Sequence, residues 1–121
     1  MNPGIYNLLI LQYATYAMTF VWSTQVFGGA VLSNNPVDLT GYTAVLQIRP
    51  YVLSATLLYD ASGDIVLGGP AGTIALTIPD TVTGGFTWSA GVYDLLLISP
   101  QGVGTRLVEG GVTVVPGVSV P

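Results

Sequence analysis

The sequence predicts an all-β protein of about seven to nine short strands. Short runs in which apolar and polar residues alternate recur along the 121 residues, as in strands that have one face on a core. Turn-forming clusters of Gly, Pro, Asn and Asp separate these runs by roughly eight to twelve residues, and no stretch has the periodicity of a long helix. We therefore expect one domain, residues 1–121, folded as an antiparallel immunoglobulin-like β-sandwich with short flexible or docking ends at 1–4 and 116–121.

Two strands are expected before the first charged residue, Asp38. Residues 5–12 form an uncharged run that suits either a strand covered on both faces or an edge strand that docks on another molecule. Residues 13–22 alternate, with large side chains on one face and mostly Thr and Ala on the other, which predicts a half-buried strand. Residues 27–29 and 33–36 interrupt the pattern with Gly, Asn and Pro, and they are predicted to form a loop.

The segment Asp38–Arg49 has the clearest strand pattern and is predicted to be the central strand. Asp38 is expected to accept hydrogen bonds from backbone N–H groups two or three residues further on, and Gly41 frees the backbone where the chain enters the sheet. Apolar and polar side chains then alternate from Tyr42 to the end of the segment. Pro50 ends the strand because it has no N–H to donate.

Further short strands are expected in the second half of the chain. Residues 56–59 and 65–67 are predicted to pair as a hairpin whose tip carries solvated Asp60 and Asp64. Residues 73–78 alternate cleanly, which predicts a strand with its three large aliphatic side chains pointing inward.

The remaining segments complete the predicted fold. Residues 79–85 have room for one helical turn, with Asp80 or Thr81 as its cap, and 92–98 predict a strongly apolar strand. The last strand follows, and Gly110 and Gly111 within it predict a β-bulge, because paired glycines weaken regular pairing.

Charged residues are unusually scarce: they make up 7% of the chain, against about 25% in ordinary soluble domains. There are two Arg and six Asp or Glu, the net charge is −4, and mean hydropathy is +0.67. A surface with so few charges would present extended apolar or neutral patches, which usually mark interfaces. The composition therefore predicts either a membrane protein or a part of a large assembly.

A membrane location is the less favoured of these two. The uncharged run from Ile5 to Trp22 is rich in strand formers, is interrupted by polar residues and has no Lys or Arg flank to set its orientation. No basic region precedes it, as a signal peptide would require. A membrane is therefore not an expected partner. Two cationic side chains and a net charge of −4 also argue against a nucleic acid, which needs a basic surface to neutralise its phosphates.

The composition argues against an enzyme. The chain has no Cys and no His, so the sequence offers no thiolate or imidazole metal ligand and no base to activate a serine. It has no Lys for a phosphate-binding loop, and the two aspartates around Gly63 supply too few oxygens for calcium. We expect no catalytic residues, no metal and no cofactor.

Three charged residues lie on predicted strands. Asp94 interrupts an apolar strand, and a buried lone carboxylate would be costly. We expect it to pair with Arg49 or Arg106 on a neighbouring strand, unless all three side chains are simply solvated at sheet edges.

Aromatic residues near the breaks, together with the first strand, indicate where other molecules would dock. Trp and Tyr in loops are typical interface anchors, although each ring could also cap one end of the core. An uncharged edge strand invites strand addition from a partner. The candidate interface residues are Ile5, Leu8, Ile10, Trp22, Phe27, Tyr51, Leu53, Phe86 and Trp88.

Five segments, in order, give the chain a resemblance to a widespread group of small tailed-bacteriophage virion proteins. The motifs of that group are a Tyr-Arg/Thr-x-x-Phe-x-Trp strand, Asp-Leu-Thr-Gly-Tyr/Ala-Thr-x-x-x-Gln-Ile-Arg, Gly-x-Ile-x-Leu-x-Ile, Gly-x-Tyr-Asp-Leu-x-Leu, and Arg-Leu-x-Glu-Gly-x-Val-x-Val-x-Pro. They occupy Tyr16–Trp22, Asp38–Arg49, Gly72–Ile78, Gly91–Leu97 and Arg106–Pro116. The chain also resembles, more loosely, the N-terminal domain of siphophage upper baseplate proteins.

The resemblance implies an immunoglobulin-like β-sandwich that serves as a structural part of a virion, with no catalytic residues to carry over. The chain departs from the group by losing charge, since Val45 stands where a basic residue is frequent. We expect a tail or baseplate adaptor, made in the host cytoplasm, that is multi-copy or homo-oligomeric and docks other virion proteins through strand edges and loop aromatics. A capsid decoration protein and a receptor- or glycan-binding module that stacks sugars on Trp22 and Trp88 are the alternatives.

Overall fold

Strands dominate the computed structural model, which describes residues 3–28 and 31–121, with the backbone alone for 24–28 and 31–34. The one α-helix in these ranges, α1 (Asp80–Thr83), is a single turn, and Ser62–Asp64 and Gly69–Ala71 are 3-10 turns. The prediction of an all-β protein is confirmed. The strands are β1 (Gly4–Ile5), β2 (Leu8–Leu11), β3 (Tyr16–Val21), β4 (Ser23–Gly28), β5 (Val31–Pro36), β6 (Thr43–Arg49), β7 (Tyr59–Asp60), β8 (Ile65–Leu67), β9 (Thr73–Ile78), β10 (Ala90–Ile98) and β11 (Gly104–Val115).

The larger sheet is mixed, which corrects the expectation of purely antiparallel pairing. Its strands follow the order β1–β11–β10–β6–β7, and β2 also pairs with β11. Strand β10 is antiparallel to both of its neighbours, β6 and β11, whereas β1 and β2 run parallel to β11.

A smaller sheet has the order β3–β9–β8, with both pairings antiparallel. The strands β4 and β5 pair with each other as a separate two-stranded hairpin. The loop predicted at 27–29 and 33–36 is wrong where the structure describes it, because residues 27–28 belong to β4 and the polar Ser-Asn-Asn-Pro stretch belongs to β5, the second strand of this hairpin.

One apolar cluster joins the inward faces of both sheets. Alternation along β9 buries Ile74, Leu76 and Ile78 as predicted, and alternation along β10 buries Leu95 and Leu97.

No helix in the described ranges is long and apolar enough to cross a membrane.

The structure contains eleven strands in its described residues, more than predicted, partly because the first predicted strand is broken. Between β1 and β2 the chain leaves regular pairing at Tyr6 and Asn7, where the Asn7 side-chain oxygen accepts the Gly111 N–H at 3.0 Å. Leu8 and Ile10 are almost completely buried in the core. This corrects the expectation that they belong to an interface: they stabilise the chain's own fold.

The hairpin predicted from residues 56–67 is wrong. Strand β7 pairs with β6 of the larger sheet, and β8 pairs with β9 of the smaller one, so the intervening turn connects two sheets. The backbone of Leu46 holds this turn, since its C=O accepts from Ala61 and its N–H donates to Ser62 Oγ. Ala61 is fully buried, which explains why the turn crosses the core edge instead of forming an exposed tip.

The predictions for the bulge in the last strand and for the cap of the helical turn are also wrong. The irregularity in β11 lies at Leu107, between the pairs Leu95–Val108 and Leu96–Arg106, and the predicted bulge glycines pair regularly with β10. Helix α1 begins after Pro79 and has no side-chain cap from either predicted residue.

Candidate functional site

The outer face of the larger sheet contains a concavity of about 540 Å³, here called the outer groove. Its floor is formed by Arg49, Asp94 and Arg106, and its walls are Ile5 of β1 and the segment Tyr51–Ser54 that follows β6. Asp94 lies between the buried Tyr93 and Leu95 on β10, and Arg49 follows the buried Ile48 on β6, so alternation points both side chains outward. Arg106 lies on β11 opposite Leu96 and is exposed on the same face.

Charged side chains gather on this floor. Both arginines, Asp94 and Glu109 line the groove, which is half of the chain's eight charged residues. Arg106 Nε lies 3.2 Å from Asp94 Oδ2, with both side chains about half exposed. The predicted ion pair of Asp94 is confirmed with Arg106, and its exposure limits the pair to a small contribution to stability.

Arg49 has a different role. One guanidinium nitrogen donates to Gln47 Oε1 at 2.8 Å, and another donates to the Ser54 carbonyl oxygen at 3.2 Å. Gln47 lies opposite Asp60 on β7, whose carboxyl pKa is lowered mainly by hydrogen bonds from Ser62 and less by Gln47 and Arg49. Arg49 thus ties the strand to the wall of the groove.

The wall segment presents three consecutive apolar side chains, Tyr51, Val52 and Leu53, to solvent. Leu53 is 96% exposed and has a φ of +70°, a left-handed conformation that costs a non-glycine residue roughly 1–2 kcal/mol. The Ser54 N–H donates to the Tyr51 carbonyl at 3.1 Å, so the segment is a closed turn. A closed, strained turn that exposes large apolar side chains is typical of a binding surface.

Ile5 stands across the groove from this turn and is 80% exposed. The structure therefore brings together three of the predicted interface residues, Ile5, Tyr51 and Leu53. Sequence reasoning missed Val52 and Glu109 at the same place. Val52 could have been found from its position inside an apolar run directly after Pro50.

Three other predicted interface aromatics pack inward. Trp22 and Trp88 are half-buried against the core, and Phe86 is buried. The Trp22 ring meets Tyr42 edge-on at 6.1 Å, and the Trp88 ring lies 4.9 Å from Phe86. These contacts correct the expectation for Phe86 and weaken a glycan-binding role, which needs both indole rings exposed together.

Two structural predictions concern the turn before β6. Asp38 Oδ1 accepts hydrogen bonds from the Thr40 N–H at 3.0 Å and the Thr40 hydroxyl at 2.6 Å, which lower the pKa of the Asp38 carboxyl. Gly41 has a φ of +79°. Both predictions are confirmed, whereas the side chain of Phe27 lies outside the described residues.

Two tyrosines whose rings pack in or against the core use their hydroxyl groups as hydrogen-bond donors. Tyr93 Oη donates to the Tyr6 carbonyl oxygen at 2.6 Å, and Tyr59 Oη donates to Asp64 Oδ2. Burial is the main cause that raises the pKa of the Tyr93 and Tyr59 phenols. Within residues 3–28 and 31–121 no three acidic side chains cluster as metal ligands would.

No protein-family model and no curated protein matches this chain.

Proposed function

We propose that the protein is a structural component of a bacteriophage virion, a tail or baseplate adaptor that docks other virion proteins. The exposed apolar turn Tyr51–Leu53 carries this proposal. In a chain with 7% charged residues, this turn exposes large apolar side chains on a rigid backbone, beside a groove with charged groups at its base. Apolar walls around a polar floor suit a partner that inserts a side chain or an extended segment.

We also propose that the two sheets form an immunoglobulin-like sandwich. The order β3–β9–β8 on one sheet and β11–β10–β6 on the other supports this, since it corresponds to the B-E-D and G-F-C orders of that fold. The apolar cluster shared by both sheets supports it as well. This architecture leaves loops and edges free for docking.

Labelled imaging tests the virion role. An antibody raised against the purified chain is applied to purified particles from the source culture, which are then viewed by electron microscopy. Label on the tail or baseplate is the expected result, and label on the head would favour the capsid-decoration alternative. Particles that carry no label, and whose denatured proteins do not react with the antibody, would contradict the proposal.

A second experiment tests the docking surface itself. Leu53→Asp places a charge on the exposed turn and should abolish incorporation of the chain into particles. Val103→Asp is the matched control, because Val103 is also an exposed apolar residue but lies in the turn between β10 and β11 and does not line the groove. Equal incorporation of both variants would contradict docking through the turn.

A further inference from the structure

The edges of the two sheets differ in how well they are protected against pairing with another chain. Natural sheets protect edges by short strands, charged residues, prolines or breaks. Strand β7 has two residues and includes Asp60, β8 has three residues, and the β1–β2 edge is interrupted between its two short strands. Strand β3 has six residues without charge, proline or bulge.

Hydrogen bonding along β3 leaves its outer edge open. The Trp22 N–H donates to the Gly72 carbonyl at 2.9 Å, which continues the β3–β9 register, so the even-numbered residues of β3 form the hydrogen-bonded pairs with β9. The N–H and C=O groups of Ala17, Thr19 and Val21 therefore point away from β9. In the part of the chain that the structure describes, no strand pairs with this side of β3.

The side chains at this edge are small and uncharged. Ala17, Thr19 and Val21 are exposed on the outer face of the smaller sheet, and strands β3, β8 and β9 contain no charged residue. On the inner face, the Tyr6 ring packs edge-on against Phe20 at 5.6 Å, which covers the core beside the open edge. The open edge of β3 thus presents unpaired backbone groups flanked by small, uncharged side chains.

We propose that β3 pairs antiparallel with β3 of a second copy of this chain, about a two-fold axis at Thr19, so that the smaller sheets of two copies become one continuous sheet. In this register Thr19 lies opposite Thr19 of the second copy, and Ala17 lies opposite Val21. In each of these pairs, the N–H and C=O groups that β9 leaves free point toward the other copy, so the two strands form a regular ladder of hydrogen bonds.

A second copy fits this edge better than another partner for two reasons. The pairing is self-complementary, as a two-fold interface requires, and Thr–Thr pairs across strands are favourable. Each chain carries a net charge of −4, so two copies repel each other wherever their acidic residues meet. The strands of the smaller sheet contain no acidic residue, so pairing through this sheet avoids that repulsion. The inference goes beyond the proposed virion role and does not depend on it.

A cysteine cross-link tests the register directly, because the natural chain has no Cys. Residues opposite each other in a hydrogen-bonded pair have Cα atoms about 5.5 Å apart, within the range a disulfide spans. Thr19→Cys should therefore form a disulfide-linked dimer in oxidised glutathione. Thr77→Cys is the control, since Thr77 is exposed on the same face but lies on the central strand β9.

The expected result is cross-linking of Thr19→Cys at least about tenfold faster than Thr77→Cys, because pairing raises the effective concentration of the two thiols. Equal rates, or no dimer from Thr19→Cys while its circular dichroism matches the parent chain, would overturn the proposal. This outcome would leave the virion role intact, because labelled particles report on that role separately.

A second variant tests the backbone pairing without a new bond. Thr19→Pro removes an N–H that β9 does not use, so the fold should tolerate it while strand addition is blocked. Thr19→Lys opposes pairing by repulsion and serves if the proline variant loses its native circular dichroism. A folded variant with the same sedimentation mass as a dimeric parent would overturn the proposal, and so would a parent chain that is monomeric throughout.

Discussion

At the residue scale, Gly110 allows the first part of the chain to approach the last strand. A Cβ built on Gly110 would lie 2.3 Å from the Tyr6 carbonyl oxygen, the same oxygen that accepts the Tyr93 hydroxyl. The sequence also identifies Gly110 and Gly111 as special positions, but it predicts a β-bulge for them. The true reason is a contact with a residue more than a hundred positions away, which no local pattern contains.

Gly110→Ala should lower the free energy of unfolding by about 1–3 kcal/mol, because the added methyl group forces the Tyr6 backbone to move. Gly63→Ala is the control, since its Cβ would have no atom within 4 Å, and a change of about 0.5 kcal/mol or less is expected. Urea unfolding followed by circular dichroism measures both. Equal effects of the two substitutions would show that the close approach is not a constraint.

Raising the pH should destabilise the protein above the ordinary tyrosine pKa of 10.0. The pKa values of Tyr16, Tyr59 and Tyr93 are raised in the folded chain, chiefly by burial. Between the ordinary pKa and the folded one, the folded state binds more protons than the unfolded state, so stability falls as pH rises. The stability that the three protonated phenols contribute is fully present below the ordinary tyrosine pKa.

Unfolding measured across this range, with tyrosinate followed by ultraviolet absorbance, tests that sign. Tyr93→Phe should reduce the alkaline loss of stability, because it removes one of the three shifted phenols. At neutral pH the same substitution should cost about 0.5–1.5 kcal/mol for the lost hydrogen bond to Tyr6. Stability that rises above the ordinary tyrosine pKa would contradict the account.

At the element scale, segments whose structure depends on local contacts could be predicted, and those that depend on distant partners could not. The turn Asp38–Gly41 and strand β6 follow from a side-chain cap, a positive φ and strict alternation. Strands β7 and β8 were assigned to each other because a short turn separates them. They instead pair in two different sheets, and Ala61 between them is buried in the core, an arrangement that the local sequence does not reveal.

The turn that forms the groove wall makes a prediction at this scale. Leu53→Gly should leave the free energy of unfolding unchanged or raise it. Glycine adopts the positive φ without strain, and the relief of that strain offsets the entropic cost of ordering a glycine. Leu57→Gly is the control, since Leu57 is also exposed and its φ is not positive, and it should be destabilising. A loss of about 1 kcal/mol or more in Leu53→Gly would contradict a strained turn.

At the scale of the whole molecule, the described strands separate two kinds of surface. The outer face of the larger sheet carries the charged groove and the apolar turn, and the strands of the smaller sheet contain no charged residue. Composition alone predicted that the exterior is covered by neighbours. It could not say which face meets which neighbour, because that depends on which strands lie side by side.

The central claim is that a chain with so few charged groups covers much of its exterior with neighbouring molecules. Light scattering of the purified full chain over a wide range of concentrations tests it most directly. We predict a mass that rises from the 12.6 kDa of one chain to at least twice that value. A mass that stays at one chain up to the highest soluble concentration would contradict the claim, because the exterior would then be stable in water uncovered.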